Sequence, residues 1–357
     1  MKQTLLLIKT LTLSASSIAS AKDEIQLPLL VSNSPPEILF ARYRLRSVAS
    51  KLNAASPRRE FEGALVRIGE GFACLHPWPE LGDPTLERSL ADLQGKRRWP
   101  LVRRAIRCAE MDAAARLNED WMFEEMEVPP SHFTLPALDR PAIELALENG
   151  FDTIKLKVGT DLVAEGLFLR EISAAYPQLR WRLDANEKPT REEARDFLLA
   201  LPDSTRDRLD FIEDPCPFSE EGWQKLHRET RVPLAIDRES APNLSTAKSA
   251  QVVIIKPALD EPWLLAEAAA TKGQRVVVTS YMDHPFGQTF AAWEAGRLAL
   301  QFPGLVGTCG LQTHHLFEPS PFTEALGEAT PNFNPVAWTG LGFDELLDTL
   351  KWEPLTS

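Results

Sequence analysis

The sequence is poor in cysteine, has no long apolar run and carries no excess of basic residues. Its four cysteines lie far apart and form no CxxC pair, which supports neither a zinc knuckle nor a disulfide scaffold. No stretch of about 18 uninterrupted apolar residues occurs, which excludes an ordinary membrane-spanning helix. With 39 Lys and Arg against 51 Asp and Glu, the formal net charge of −12 gives no support for a surface that binds nucleic acid. We therefore predict a protein without nucleic-acid or membrane partners, from a reducing compartment such as the cytoplasm.

The remaining composition is that of a folded globular protein. Hydrophobic residues make up 44% of the chain and charged residues 25%, which argues against wholesale disorder. At one domain per about 150 residues, a chain of 357 residues contains about two units, although barrels often run longer as one domain.

The first 36 residues differ from the rest of the chain. Met1-Lys2 precedes a short apolar run at 5–8, and the small residues at 19–21 resemble a signal-peptide cleavage site. Lys9 interrupts the apolar run, and a charge at that point weakens an export signal. We expect residues 1–36 to be a disordered extension or the product of a start codon assigned too far upstream, with export as the alternative.

Residues 37–130 have the pattern of a small α+β unit. β-forming residues flank the Gly-Glu-Gly sequence at 69–71, which is a hairpin signal. Helical patterns follow at Leu86–Leu93 and Pro100–Leu117. Strands followed by helices are typical of an α+β domain.

From residue 131 to residue 330, short β-rich runs alternate with helical stretches. This alternation predicts βαβ units and a parallel sheet. The β-rich runs lie at 154–158, 181–183, 211–212, 234–236, 252–255 and 276–279.

Charged residues stand where several of these predicted strands end. Successive groups are separated by 19 to 29 residues, about the length of one strand, one helix and two loops. In a closed (β/α)₈ barrel, the carboxyl ends of all strands open onto one face, where active sites are built. The charged residues are Lys155, Lys157, Asp184, Glu213, Asp237 and Lys256.

This set of residues suggests acid–base chemistry beside a metal. Three converging carboxylates would repel one another unless a cation neutralised them, and oxygen-only ligands favour Mg²⁺ or a similar hard cation. A carboxylate substrate bound to such an ion can lose its α-proton to a neutral amine. Lys155 shares a strand face with Lys157, and its charge would lower the pKa of Lys157.

The motifs around these residues resemble those of the enolase superfamily, muconate-lactonising subgroup. They read Lys-Leu-Lys, Leu-Asp-Ala-Asn, Ile-Glu-Asp-Pro, Ile-Asp-Arg-Glu-Ser and Ile-Ile-Lys-Pro in chain order, and the likeness spans residues 38–330. The resemblance implies a modified TIM barrel, (β/α)₇β, over residues 131–330. It also implies that residues 37–130 form an N-terminal α+β capping domain and that residues 331–357 pack back on it.

The resemblance further implies a metal site that holds Mg²⁺, with Mn²⁺ as a possible substitute. Its ligands would be Asp184, Glu213 and Asp237. This chain has one inserted residue where the family has Asp-Glu-Ser, so Glu239 remains an alternative third ligand and Arg238 cannot serve as one. We favour Asp237, since it directly follows an apolar strand.

The lysines receive catalytic roles from the same resemblance. Lys157 would remove the α-proton of a cyclohexadiene carboxylate and then return a proton to the departing hydroxyl on the same face. Lys256 would stand on the opposite face and stabilise the enediolate anion. Lys155 would tune Lys157.

Within the subgroup, segments 75–80, 279–288 and 310–315 are most similar to members that dehydrate a cyclohexadiene carboxylate in menaquinone biosynthesis. The alternative is a racemase or epimerase that acts on N-acylamino acids or dipeptides. The dipeptide epimerases usually carry Asp-x-Asp on the eighth strand, and no such motif occurs at 305–310. Both functions predict that the protein binds a small-molecule carboxylate substrate. We expect the protein to be a monomer or a homodimer.

Three further residues are candidates for substrate contact. Ser280 could hold the distal succinyl carboxylate with its hydroxyl, although a serine at a strand end is equally a turn residue. Asp283 could belong to the same loop contact or only fix the turn. His76 could form part of a lid that excludes water, and a proline-rich structural loop is the alternative.

Overall fold

Residues 37–49, 52, 56–237 and 247–356 are described by the structure, a computed structural model. The chain from Glu37 onward forms one compact unit. The predicted extension over residues 1–36 lies outside the described residues, and so do Arg238 and Glu239.

The described strands form two sheets, with the orders β11-β1-β2-β3 and β10-β9-β8-β7-β6-β5-β4. In chain order the strands are β1 (Ile38–Arg46), β2 (Glu60–Ile68), β3 (Gly71–Leu75), β4 (Phe133–Leu135), β5 (Thr153–Lys157), β6 (Arg180–Asp184), β7 (Leu209–Glu213), β8 (Leu234–Ile236), β9 (Val252–Ile255), β10 (Arg275–Val278) and β11 (Glu353–Pro354).

Helices cover the sheets. In chain order those in the described residues are α1 (Leu86–Leu93), α2 (Pro100–Leu117), α3 (Arg140–Glu148), α4 (Leu162–Ala175), α5 (Arg191–Ala200), α6 (Asp203–Arg206), α7 (Glu220–Thr230), α8 (Pro262–Lys272), α9 (Pro285–Gln301), α10 (Pro321–Leu326) and α11 (Asp344–Asp348). None of them is long and apolar enough to cross a membrane.

The first sheet is antiparallel and forms the predicted hairpin. Strands β2 and β3 pair from Ile68 opposite Gly71, and Gly69 turns the chain with a φ of 60°, a conformation that glycine adopts without strain. Helix α2 packs so closely on β3 that a Cβ at Gly71 would lie 1.9 Å from the carbonyl oxygen of Ala109. Strand β11 adds to the far edge of β1 and so brings the end of the chain to this sheet.

The second sheet is parallel and closes into a ring. Its edges are β4 and β10, and the segment 306–310 bridges both of them. Val306 pairs with Val276 and Gly310 pairs with Thr279 on one side, while Cys309 pairs with Ser131 on the other. The segment therefore takes the eighth strand position, and the fold is the modified (β/α)₇β barrel with an N-terminal antiparallel-sheet domain.

Apolar strands account for the inside of the ring. Side chains from four neighbouring strands, β7 to β10, form a small core of their own inside the ring. Its members are Phe211, Ala235, Val252, Ile254 and Val277. The outward-facing side chains pack against the helices in the main core, so all four residues of β9 are buried.

The patterns predicted most of these elements; strand β4, the two-residue strand β11 and the segment 306–310 were missed. Strands β8 and β9 and helices α1 and α2 have the predicted bounds. Strand β4 has only three residues and the segment 306–310 joins the barrel through isolated bridges, so neither contains enough alternation to be recognised. The division of the compact unit at residues 130 and 330 stays a prediction.

Candidate active site

The charged residues that follow the predicted strands meet at the carboxyl edge of the barrel. Lys157 on β5 lies opposite Asp184 on β6, which lies opposite Glu213 on β7. Asp237 follows β8, and Lys256 follows β9. Along the ring, the three carboxylate-bearing strands therefore stand between the two lysine-bearing strands.

A cavity of about 510 Å³ opens at this edge. All six charged residues line it. They are Lys155, Lys157, Asp184, Glu213, Asp237 and Lys256.

Lys155 is a bridge between two carboxylates. Its Nζ lies 3.2 Å from Asp184 Oδ2 and 2.7 Å from Glu213 Oε2. Burial disfavours the charged amine, but Asp184 and Glu213 outweigh it and raise the pKa of Lys155 well above its ordinary value. Lys155 is therefore a permanent cation in this site.

Lys157 has a looser environment. Its Nζ lies 3.6 Å from Asp184 Oδ2, beyond hydrogen-bond distance. Burial lowers the pKa of Lys157, and the charge of Lys155 lowers it further against the attraction of Asp184. A buried amine with a lowered pKa is suited to accept a proton.

Lys256 is held on the other side of the acidic group. Its Nζ donates to Asp237 Oδ2, and its backbone N donates to Asp260 Oδ2 at 2.6 Å. Burial opposes the charge, but Asp237 and Glu213 outweigh it and raise the pKa of Lys256. Lys256 therefore favours the charged form, whereas Lys157 more readily presents a neutral amine that can accept a proton.

The carboxylates differ in how they are neutralised. Burial disfavours the charge of Asp184, but Lys155 and Lys157 lower its pKa well below the usual range, and Asn186 Nδ2 donates to Oδ1 at 2.7 Å. Burial raises the pKa of Glu213, and the nearby Asp184 and Asp237 raise it further against Lys155. Burial is thus the main cause of the raised pKa of Glu213, and the neighbouring carboxylates add to it.

The donor set fits a hard cation, although the side chains are not arranged around one. In the described part of the chain, no three His, Cys, Asp or Glu side chains lie close enough together to hold a metal ion. Lys155 instead occupies the space between Asp184 and Glu213. Asp184, Glu213 and Asp237 nevertheless line one cavity with carboxylate oxygens, which are the ligands that Mg²⁺ prefers.

Comparison with known proteins identifies the family. Residues 38–115 match the family described as O-succinylbenzoate synthase, N-terminal domain, and residues 138–254 match the one described as Enolase C-terminal domain-like. The o-succinylbenzoate synthase of Bdellovibrio bacteriovorus is 32% identical over 328 residues, which cover 89% of this chain and 98% of the relative. The chain belongs to the o-succinylbenzoate synthase family of the enolase superfamily. It is thus related to enzymes, and the named relatives are hydro-lyases.

Other o-succinylbenzoate synthases agree with this assignment, and solved structures share the fold. The enzyme of Citrobacter koseri is 28% identical over 282 residues, with 71% of this chain and 85% of the relative covered. A mandelate racemase/muconate lactonizing protein from Herpetosiphon aurantiacus superposes with a TM-score of 0.74 at 18% identity, covering 87% of this chain and 98% of its own. A dipeptide epimerase from Enterococcus faecalis, solved with Mg and the dipeptide L-Leu-L-Tyr, superposes with a TM-score of 0.71 at 18% identity, covering 86% and 99%. At such identities the structures share the fold.

Of the three candidate substrate residues, which are Ser280, Asp283 and His76, only Ser280 lines the cavity. Ser280 is buried, and its hydroxyl is hydrogen-bonded to that of Thr313 at 2.8 Å. Its backbone N–H donates to Gly310 O at 2.9 Å and is therefore already engaged within the barrel.

His76 and Asp283 are not among the residues that line the cavity, and their contact with substrate stays a prediction. His76 is buried between cap strands, where its Nδ1 is hydrogen-bonded to the Tyr43 hydroxyl at 2.9 Å. Asp283 is 3% exposed, and burial raises its pKa to about 7. The loop after β10 turns between Ser280 and Asp283, so that one side chain faces the barrel mouth and the other the capping domain.

Sequence reasoning gave no individual role to several other residues that line the cavity. Thr134 lies on β4, the strand that was not predicted, and Thr313 lies in segment 310–315, whose likeness to the family was noted without a role for this residue. Tyr281, Glu80 and Leu81 lie in segments 279–288 and 75–81, which the sequence indicated as contacts for the distal part of the substrate without a role for each residue. The proline-rich loop that precedes Leu81 was the one signal for this part of the wall.

Proposed function

We propose that the protein is an o-succinylbenzoate synthase that acts in the cytoplasm, in menaquinone biosynthesis. The reaction removes water from a succinyl-hydroxy-cyclohexadiene carboxylate and leaves the aromatic o-succinylbenzoate. The observation that carries the proposal is the placement of Lys157 and Lys256 on the two sides of the acidic strands, in a chain that covers 98% of an o-succinylbenzoate synthase.

Asp184, Glu213 and Asp237 would hold Mg²⁺, with Mn²⁺ as a possible substitute. When bound, the ion supplies positive charge that stabilises the negative charge developing on the substrate carboxylate. The buried carboxylates supply oxygen ligands, and Asn186 fixes the orientation of Asp184 through its hydrogen bond at 2.7 Å. Asp237 is our third ligand because it directly follows strand β8 and lines the cavity together with Asp184 and Glu213.

Lys157 would act as the base. Its neutral amine takes the α-proton as the C–H bond breaks, and the resulting ammonium protonates the hydroxyl that departs as water when the C–O bond breaks. One residue performs both transfers because both bonds lie on the same face of the ring. Burial and Lys155 both favour the neutral amine that this step needs.

Lys256 would provide fixed positive charge on the opposite face. Its pKa is raised, so it remains an ammonium while the substrate becomes anionic. Lys155 holds Asp184 and Glu213, and its charge favours the neutral form of Lys157 before the reaction. The Ser280 hydroxyl would contact the distal succinyl carboxylate.

The second candidate function is racemisation or epimerisation of an N-acylamino acid. The same two lysines on opposite sides of the acidic strands favour it, because a racemase needs one base on each face. An N-succinyl Arg/Lys racemase from Bacillus cereus has this fold, with a TM-score of 0.71 at 15% identity over 90% of this chain and 99% of its own.

An assay of both substrates on one preparation tests the proposal. Purified protein with Mg²⁺ should convert the cyclohexadiene substrate to the aromatic product, which is followed by its ultraviolet absorbance. Absent dehydration beside measurable racemisation of an N-succinylamino acid would replace the first function by the second.

A further inference from the structure

The capping domain is tied to the barrel beside the cavity by three residues. We call Trp78, Asp83 and Tyr281 the clamp. Trp78 and Asp83 flank the cap turn Pro79–Leu81, and Tyr281 follows strand β10 of the barrel. Trp78 is fully buried, Tyr281 is 3% exposed, and Asp83 is half-buried.

Asp83 first closes the loop that carries the cap turn. Its Oδ2 accepts from the backbone N–H of Trp78 at 2.9 Å, and its own N–H donates to Trp78 O at 3.3 Å. Gly82, with a φ of 100°, allows the chain to reverse between them. The two ends of the loop are therefore fixed to each other within the capping domain.

Tyr281 then fixes that loop to the barrel at two points. Its hydroxyl donates to Asp83 Oδ2 at 3.0 Å, and its carbonyl accepts from Trp78 Nε1 at 3.1 Å. These are long-range contacts across 198 and 203 positions of sequence, so they form only when cap and barrel are assembled. A hydrogen bond to a carboxylate is stronger than one between neutral groups.

The clamp lies directly beside the cavity. Glu80 and Leu81 of the cap turn line it, and so does Tyr281. The ring of Tyr281 lies 6.0 Å from Lys256 Nζ, at the limit of a cation–π contact. The clamp therefore lies where the side of the cavity formed by the capping domain meets the side that bears Lys256.

We propose that Asp83 is a positioning residue, which through the Tyr281 hydroxyl holds Glu80 and Leu81 in place against the bound substrate. The inference rests on the proposed function, because it assigns the cavity to substrate binding. The lysines and carboxylates all belong to barrel strands or their ends, so loss of the clamp moves the cap wall and leaves the acid–base groups in place. The clamp therefore governs substrate affinity more than the chemical step.

The variants Asp83→Ala and Tyr281→Phe test this division. Each removes the Asp83–Tyr281 hydrogen bond, and Tyr281→Phe keeps the ring beside Lys256. We expect each to raise KM by about tenfold, the usual effect of losing a hydrogen bond to a charged group, while kcat changes less than about threefold. The double variant should be no worse than the more affected single variant, because both remove one interaction.

Two further variants separate positioning from a merely structural role. Asp83→Asn keeps an oxygen that accepts from both Trp78 and Tyr281. Unlike Asp83→Ala, it should therefore have a KM within about twofold of wild type. Trp223→Phe is the control for the loss of a buried hydrogen bond elsewhere in the fold. Like Trp78, Trp223 is fully buried, and its indole N–H donates to the backbone carbonyl of Cys216 at 3.1 Å. It lies away from the cavity and should lower the melting temperature with KM unchanged.

Hydrogen exchange gives a readout that does not need activity. Amide exchange in residues 78–83 should become faster in Tyr281→Phe than in wild type and in Trp223→Phe. An active wild type whose KM is unchanged by Asp83→Ala and Tyr281→Phe would overturn the clamp and leave the proposed function standing. A wild type that does not dehydrate the substrate would overturn the proposed function, and the exchange of residues 78–83 would still decide for or against the clamp.

Discussion

Lys157 and Lys256 lie at the carboxyl ends of two barrel strands that are separated in the ring by the three strands bearing Asp184, Glu213 and Asp237. The carboxylates bind the lysines unequally. Asp237 is hydrogen-bonded to Lys256, whereas Asp184 lies 3.6 Å from Lys157 and is mainly engaged by Lys155. One amine is thereby fixed as a cation and the other is left able to accept a proton.

The first prediction concerns the charge of Lys256. Lys256→Ala should lower kcat by about 10² to 10³, the usual cost of removing a group that stabilises developing negative charge. Lys256→Arg should retain more dehydration than Lys256→Ala, because arginine keeps the positive charge. Steady-state kinetics of both variants measure this difference.

Equal loss in the two variants would contradict a purely electrostatic role. Arginine is not deprotonated in proteins, so it cannot replace a lysine that acts as a base. That outcome would favour the racemase, in which Lys256 exchanges a proton on its own face.

The second prediction concerns metal dependence. Treatment with a chelator should abolish dehydration and added Mg²⁺ should restore it. Asp184→Asn should raise the Mg²⁺ concentration for half-maximal activity by about tenfold or more, because it removes a charged oxygen ligand. Asp196→Asn, an exposed carboxylate on α5, is the control and should leave the Mg²⁺ titration unchanged. Full activity in the chelator would contradict the metal site.

The third prediction concerns the buried carboxyl of Asp283. Burial raises its pKa in the folded state to about 7, above the value of about 3.9 expected in the unfolded chain. Between these values the folded state keeps a proton that the unfolded state has lost, so the stabilisation from neutral Asp283 is present below about pH 4 and is lost as the pH rises to about 7.

Asp283→Asn keeps a neutral side chain and removes this titration. The free energy of unfolding of wild type should therefore fall by a few kcal/mol relative to Asp283→Asn between pH 4 and pH 7. Denaturant unfolding of both proteins across this range measures it. A difference that does not change with pH would contradict the buried, protonated carboxyl.

The sequence could predict the barrel because its strands are buried on both faces. Runs such as Val252–Ile255 are wholly apolar, so the charged residue that follows marks the strand end and the barrel mouth. The same logic predicted that Asp184 and Glu213 would be neighbours, and the strand register places them opposite each other. Roles for these residues nevertheless come from the family likeness and stay proposals.

Other features depend on contacts between distant segments and could not be predicted. The segment 306–310 has no strand pattern, and it enters the ring only because both open edges offer hydrogen-bonding groups. The direction of Asp283 depends on how its loop meets the capping domain. The Lys-x-Lys pattern indicated repulsion between Lys155 and Lys157, but that Lys155 also bridges two carboxylates follows only from the closed ring.

The central claim is that the amine of Lys157 transfers the proton, and the turnover of Lys157→Ala tests it most directly. Lys188→Ala is the control, since Lys188 is hydrogen-bonded to Thr160 at 2.8 Å and lies outside the cavity lining. Lys157→Ala should fold with an unchanged circular dichroism spectrum and lose dehydration by about 10³-fold or more, while Lys188→Ala keeps wild-type turnover. Aromatic product formed by Lys157→Ala at the wild-type rate would contradict the account.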